Sequence, residues 1–70
     1  MRVRVDRKAG AVCVNLTGAG IAESEEVADG IVVDYDAQGR IVGLEILDAS
    51  RRTGDPSALK QFTFDFPPAA

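Results

Sequence analysis

Apolar and polar positions alternate along much of this chain with a period of two, most clearly from Asp29 to Ser50, DGIVVDYDAQGRIVGLEILDAS. That period puts successive side chains on opposite faces of a strand, so the chain reads as β-rich. Ile31, Val32, Val33 and Tyr35 lead into Asp36-Ala37-Gln38-Gly39, and Ile41, Val42, Leu44, Ile46 and Leu47 lead out. Asp36 suits the opening of a type I turn and Gly39 suits the left-handed residue of a hairpin loop with a bulge. With Asp36 facing Arg40, the register predicts Tyr35 opposite Ile41, Asp34 opposite Val42, Val33 opposite Gly43, Val32 opposite Leu44 and Ile31 opposite Glu45. Both faces of this hairpin are then partly apolar, so each needs cover from elsewhere in the chain or from a second copy. Asp34 and Glu45 fall on opposite faces.

The same alternation marks the flanks. Arg2 to Asp6 places Val3 and Val5 on one side, and Ala11 to Leu16 places Val12, Val14 and Leu16 on one side. A short connector ending in Gly10 makes these two strands a first hairpin. Thr17-Gly18-Ala19-Gly20 is a flexible turn whose spacing fits no nucleotide-binding fingerprint. Ile21 to Val27 reads as a short acidic strand, joined through the two-residue turn Asp29-Gly30 to the central hairpin. That turn predicts Ala28 opposite Ile31, Val27 opposite Val32, Glu25 opposite Asp34 and Glu23 opposite Asp36. Asp55-Pro56 looks like a helix start, with one or two turns over Ser57 to Gln61. Phe62, Phe64 and Phe66 alternate with Thr63 and Asp65 up to Pro67-Pro68, the pattern of an edge strand on its own sheet or a neighbour's. The expected fold is mainly β: an antiparallel meander of about five strands with a short C-terminal helix. Residues 1–52 form the β domain, and residues 53–70 a helical turn and Phe-rich tail packed on the same or a neighbouring sheet.

Composition narrows the chemistry. Seventy residues make one small domain, close to the size at which a single core no longer suffices, so a homodimer is the expected state. With no histidine in the chain, no Ser–His or Cys–His nucleophile can form, and the one cysteine, Cys13, reads as a buried structural thiol in a reducing compartment. No signal peptide or membrane-spanning apolar run is evident, which makes the cytoplasm the expected location. Charge is strongly segregated. Arg2, Arg4, Arg7 and Lys8 stand against Asp6 alone in the first eight residues, while eight carboxylates stand against Arg40 alone between residues 21 and 50. An acid-rich middle with few aromatics does not suit nucleic acid as a partner.

The predicted register gathers Glu23, Glu25, Asp34 and Asp36 into an acidic row beside Arg40. Like charges facing one another destabilise a sheet unless they are neutralised. Arg40 and the basic first strand, a basic protein partner, or a hard cation could each do so; no metal or other cofactor is assigned. Glu45, alone on an apolar face, is either a partly exposed strand end or a paired, ligand-directed carboxylate.

The stretch IAESEEVADGIVVDYDAQGRIVGLEILDAS resembles the central signature of a family of short prokaryotic proteins known only as a domain of unknown function. Asp34, Asp36, Gly39, Gly43, Glu45 and Ser50 fall in step with that signature. The resemblance spans about residues 1–52 and implies a small antiparallel β fold without an established activity. The first hairpin departs from the family pattern, in which Tyr-Asp ends strand one and Asp-x-Leu-Tyr opens strand two; Val5-Asp6 and Gly10-Ala11-Val12-Cys13 stand here. Relatives that accompany small toxin-like proteins suggest an antitoxin-like role. The expected function is a non-catalytic interaction module, homodimeric and able to bind a basic partner. The alternatives are a small metal- or carboxylate-dependent enzyme using Asp34 and Glu45, or a purely structural accessory.

Overall fold

In the computed structural model, which describes residues 1–69, the valine-rich alternation at the amino end forms β1 (Arg2–Asp6) and β2 (Ala11–Asn15), an antiparallel hairpin. β3 (Glu23–Ala28), β4 (Ile31–Tyr35) and β5 (Ile41–Ile46) follow, and α1 (Ala49–Thr53) closes the regular structure. All five strands pair antiparallel in one sheet, so the fold is mainly β with one short C-terminal helix.

The strand order is β1-β2-β5-β4-β3, and it differs from a sequential meander. β5 returns to pair with β2, leaving β1 and β3 as the two edges. Val14 opposite Leu44 and Val12 opposite Ile46 explain the preference, because this pairing unites the apolar positions of both hairpins on one face.

The turn at Asp36 forms as its residues require. Asp36 and Arg40 face each other through an N–H to O bond of 2.9 Å, and Gly39 takes φ 76° while donating to the Asp36 carbonyl. Tyr35 opposes Ile41 as expected, but β5 then bulges at Val42. The pairs beyond are Asp34 with Gly43, Val33 with Leu44, Val32 with Glu45 and Ile31 with Ile46. One extra residue shifts every later side chain to the other face. The gain is segregation: Val3, Val14, Leu44 and Val33 lie in one rung, and Val5, Val12, Ile46 and Ile31 in the next, on a common apolar face.

A second bulge, at Val27, corrects the acidic strand in the same way. Ala28 opposes Ile31, but Glu26 then opposes Val32, Glu25 opposes Val33, Ser24 opposes Asp34 and Glu23 opposes Tyr35. The predicted facing of Glu25 with Asp34 would have set two carboxylates side by side; instead the Ser24 hydroxyl donates to Asp34 Oδ1 at 2.6 Å. Glu26 turns back to accept the Gly30 N–H at 2.9 Å.

The helix lies earlier than expected. Asp48, in the left-handed region at φ 56°, turns the chain out of β5, and Ala49 donates to the Gly10 carbonyl. Asp55 does cap, accepting from both the N–H and the hydroxyl of Ser57, yet residues 56–60 form only turns. Phe62 to Phe66 form no strand on their own sheet. Only Val42, Ala49 and Leu59 are buried apolar side chains among the described residues, and the molecule is a slab 18 Å thick and 37 × 34 Å across. One sheet layer leaves much of both faces near solvent.

Candidate functional site

On the face opposite the apolar rungs, the register builds two polar ones. Arg4, Cys13, Glu45, Val32 and Glu26 run across the sheet in the first, and Arg2, Asn15, Gly43, Asp34 and Ser24 in the second. Where the two rungs meet over β2, β5 and β4, they line a hollow of about 270 Å³, with Ile21 from the β2–β3 connection closing one side.

Asp34 is the most deeply placed charged group, 4% exposed on a central strand. The bulge at Val42 and the missing side chain of Gly43 put it there. A Cβ on Gly43 would lie 2.7 Å from Asp34 Oδ2 and 3.2 Å from the Val14 carbonyl oxygen, so Asp34 lies across the glycine toward Glu45. A lone glycine inside a strand marks such a close approach.

Asp34 and Glu45 therefore share a face and line the same hollow, which overturns the expectation that they point apart. Burial is the largest influence raising the Glu45 carboxyl above the usual range; the Asp34 carboxyl adds to it, as hydrogen-bond partner and as like charge, and the Cys13 thiol acts against it. Cys13 Sγ lies 3.9 Å from Glu45 Oε1. The thiol is also pushed up, first by burial and then by Glu45, with Arg4 opposing, so it is held in the protonated, weakly reactive form. Cys13 is half-buried at the hollow, not fully buried as expected. The arrangement can present a carboxylic acid proton beside an acceptor carboxyl, under a rim that carries the two exposed guanidinium groups of Arg2 and Arg4.

The acidic row does not form. Glu23 and Glu25 stand exposed on the β3 edge, on the face of Val33 and Leu44, while Asp34 lies on the other face. Asp36 is absorbed by its own turn: Oδ1 accepts from the Gln38 and Arg40 N–H groups at 2.9 Å each, and Oδ2 from Arg40 Nε at 2.8 Å. The Arg40 N–H is the largest influence holding the Asp36 carboxyl below the usual range; burial opposes it, and the Arg40 guanidinium and Gln38 N–H reinforce it. Among the described residues, no group of three His, Cys, Asp or Glu side chains is placed to hold a metal ion.

Cys13, Asn15, Arg2 and Arg4 are not legible from the sequence as neighbours of the two carboxyls because β1 and β2 reach β4 only through β5, and Ser24 is not because the bulge at Val27 sets its register. Gly43 was the legible signal: its place inside a strand called for a close contact.

Comparison with known proteins agrees with the resemblance at the level of family. The family model described as "Protein of unknown function (DUF2283)" matches residues 2–50, which span all five strands and the start of α1. No curated protein and no solved structure matches the chain.

Proposed function

The chain belongs to this family of proteins of unknown function, and from that starting point we propose that it is a non-catalytic interaction module that assembles as a homodimer. The observation that carries the reading is the excess of exposed surface. A folded monomer of 7.4 kDa exposes about 4,200 Å² by the scaling of area with mass, whereas this chain exposes 5400 Å². Its radius of gyration is likewise 13.5 Å, against roughly 11 Å for a globular chain of this length. The surplus, on the order of 1,200 Å², exceeds the roughly 800 Å² that each partner contributes to a standard interface. Val3, Leu16, Ile21, Val27, Ile41 and Leu47 are among its large apolar side chains at the surface, between 36% and 55% exposed. The β3 edge, carrying Glu23 and Glu25, is the side on which a basic protein partner would dock.

Sedimentation equilibrium on the full chain tests the reading: a dimer at micromolar concentration is expected, and a monomer at all concentrations would sink it.

The convergence of Asp34 and Glu45 on one hollow favours a second reading, in which the hollow takes a small hydrogen-bonding ligand and exchanges a proton with it. The side-chain carboxyl resonance of Glu45, followed in NMR while small amide and carboxylate solutes are added, reads this directly. A saturable shift that Arg4→Ala weakens supports the ligand site, and a resonance indifferent to every solute removes it.

A further inference from the structure

Residues 61–69, QFTFDFPPA, leave the turn over Pro56–Lys60 as an unpaired segment. Phe62, Phe64 and Phe66 are 43%, 61% and 89% exposed, and Asp65 is the only charge between residues 61 and 69. Three aromatic rings at alternate positions in water are costly unless something receives them.

At one edge of the sheet, β1 pairs with β2 on one side only. Val3 and Val5 lie on the apolar face of that edge, and Arg2 and Arg4 on the polar face. We infer that residues 62–66 of one copy add as a strand to the β1 edge of a second copy, with the exchange made reciprocally about a two-fold axis. This deepens the homodimer reading and rests on it, by naming the contact.

The alternation of the two segments coincides. An antiparallel register with Phe62 opposite Val5 and Phe64 opposite Val3 places Thr63 opposite Arg4 and Asp65 opposite Arg2, and brings Phe66 to Met1, itself 82% exposed. The rings extend the apolar rungs, and the one tail carboxylate meets the basic side of β1. The other open edge repels the same segment. β3 carries Glu23 and Glu25 on the apolar face and Glu26 on the polar face, and it bulges at Val27, so Asp65 finds no partner there and its ladder is interrupted. Isologous pairing of two β1 edges about Val3 would set Arg2 against Arg4, and of two β3 edges about Ser24 would set Glu23 against Glu25. The tail on β1 escapes both.

The chain's own β1 is within reach of the tail and is not taken. Leu59 and Lys60 line a shallow depression with Arg7, just past the end of β1, yet none of residues 61–69 joins the sheet. Reciprocal exchange between copies covers both sets of rings and closes both β1 edges in a single two-fold assembly.

The experiment compares native mass spectrometry and sedimentation of the full chain with those of Phe64→Asp, Asp65→Arg, and Asp65→Arg combined with Arg2→Asp. Amide exchange over residues 62–66 is recorded in parallel. The expected result is a dimer with protected tail amides, weakened at least tenfold in dissociation constant by Phe64→Asp and severalfold by Asp65→Arg. Adding Arg2→Asp to the latter should restore affinity. Both altered tail residues are exposed and outside the five-stranded sheet, so each variant should keep the circular dichroism of that sheet and lose at most the signal of the added strand. A dimer indifferent to every variant leaves the homodimer reading standing and overturns the tail contact. A monomer with protected tail amides, the signature of docking within one chain, overturns both.

Discussion

Two carboxyls of this chain are displaced from their ordinary range in opposite directions, each for a nameable cause. The Glu45 carboxyl is held above its ordinary range by burial and by Asp34, so the folded state binds its proton more tightly than the unfolded chain does. Its contribution is fully present below the unfolded glutamate value of about 4.3 and is lost as pH rises through the elevated folded value. Asp36 is held below its ordinary range by the Arg40 N–H, so its contribution is present above the unfolded value and is lost as pH falls through the folded one. Stability should therefore fall off on both sides of a mildly acidic optimum. Glu45→Gln, which keeps the size and hydrogen-bonding capacity of the side chain, should flatten the neutral-side decline and leave the acid-side decline intact. Urea midpoints measured from pH 3 to 8 on both proteins check this, and parallel curves would show that Glu45 is not the group responsible.

At the scale of an element, β5 is a strand with one residue too many, and that residue sorts the sheet. Val42 is 2% exposed, the most buried apolar side chain of the core, and the bulge it creates aligns Leu44 and Ile46 with Val33 and Ile31. It also turns Glu45 toward Asp34. Gly43 completes the arrangement by leaving room for the Asp34 carboxyl. Gly43→Ala forces that carboxyl or the β2 backbone to move, because the new methyl group meets Asp34 Oδ2 at 2.7 Å. A loss of about 1–3 kcal/mol is expected, the range for overpacking a filled site. Equilibrium urea unfolding measures it. An unchanged midpoint would mean that Asp34 swings clear at no cost.

The whole molecule is a single sheet layer with one short helix. An 18 Å slab with three buried apolar side chains among its described residues has little interior from which to draw stability. If a second copy supplies the missing cover, folding and association become one equilibrium. The thermal midpoint should then rise by roughly 5 °C for each tenfold increase in protein concentration, from the entropy of unfolding two chains of this length. Scanning calorimetry across two decades of concentration is the check, and a midpoint independent of concentration would return the molecule to a self-sufficient monomer.

The strands and the Asp36 turn were legible in the chain itself, because a period of two and a turn built on Asp36 and Gly39 are local facts. β1 forms over the residues expected, β2 ends one residue early, and Asp36 faces Arg40 as its turn requires. Membership of a family of unknown function was equally visible in the run from Ile21 to Ser50. Two bulges of one residue each then moved half of the candidate residues. Local pattern does not say whether a strand spends an extra residue, since that choice depends on which neighbours its faces meet. Here the neighbours were remote in sequence: β2 pairs with β5, so Val12 and Val14 claim Ile46 and Leu44 for the apolar face, and the polar remainder follows. The acidic row dissolved for the same reason. By itself the sequence determined where β1 to β5 lie, to within two residues, and where Asp36 and Gly39 turn the chain, but it did not separate them from the alternating Phe62–Phe66, which form no strand. Only the tertiary structure decided that Asp34 and Glu45 line one hollow, because that placement exists through the register of the strands and belongs to no one of them.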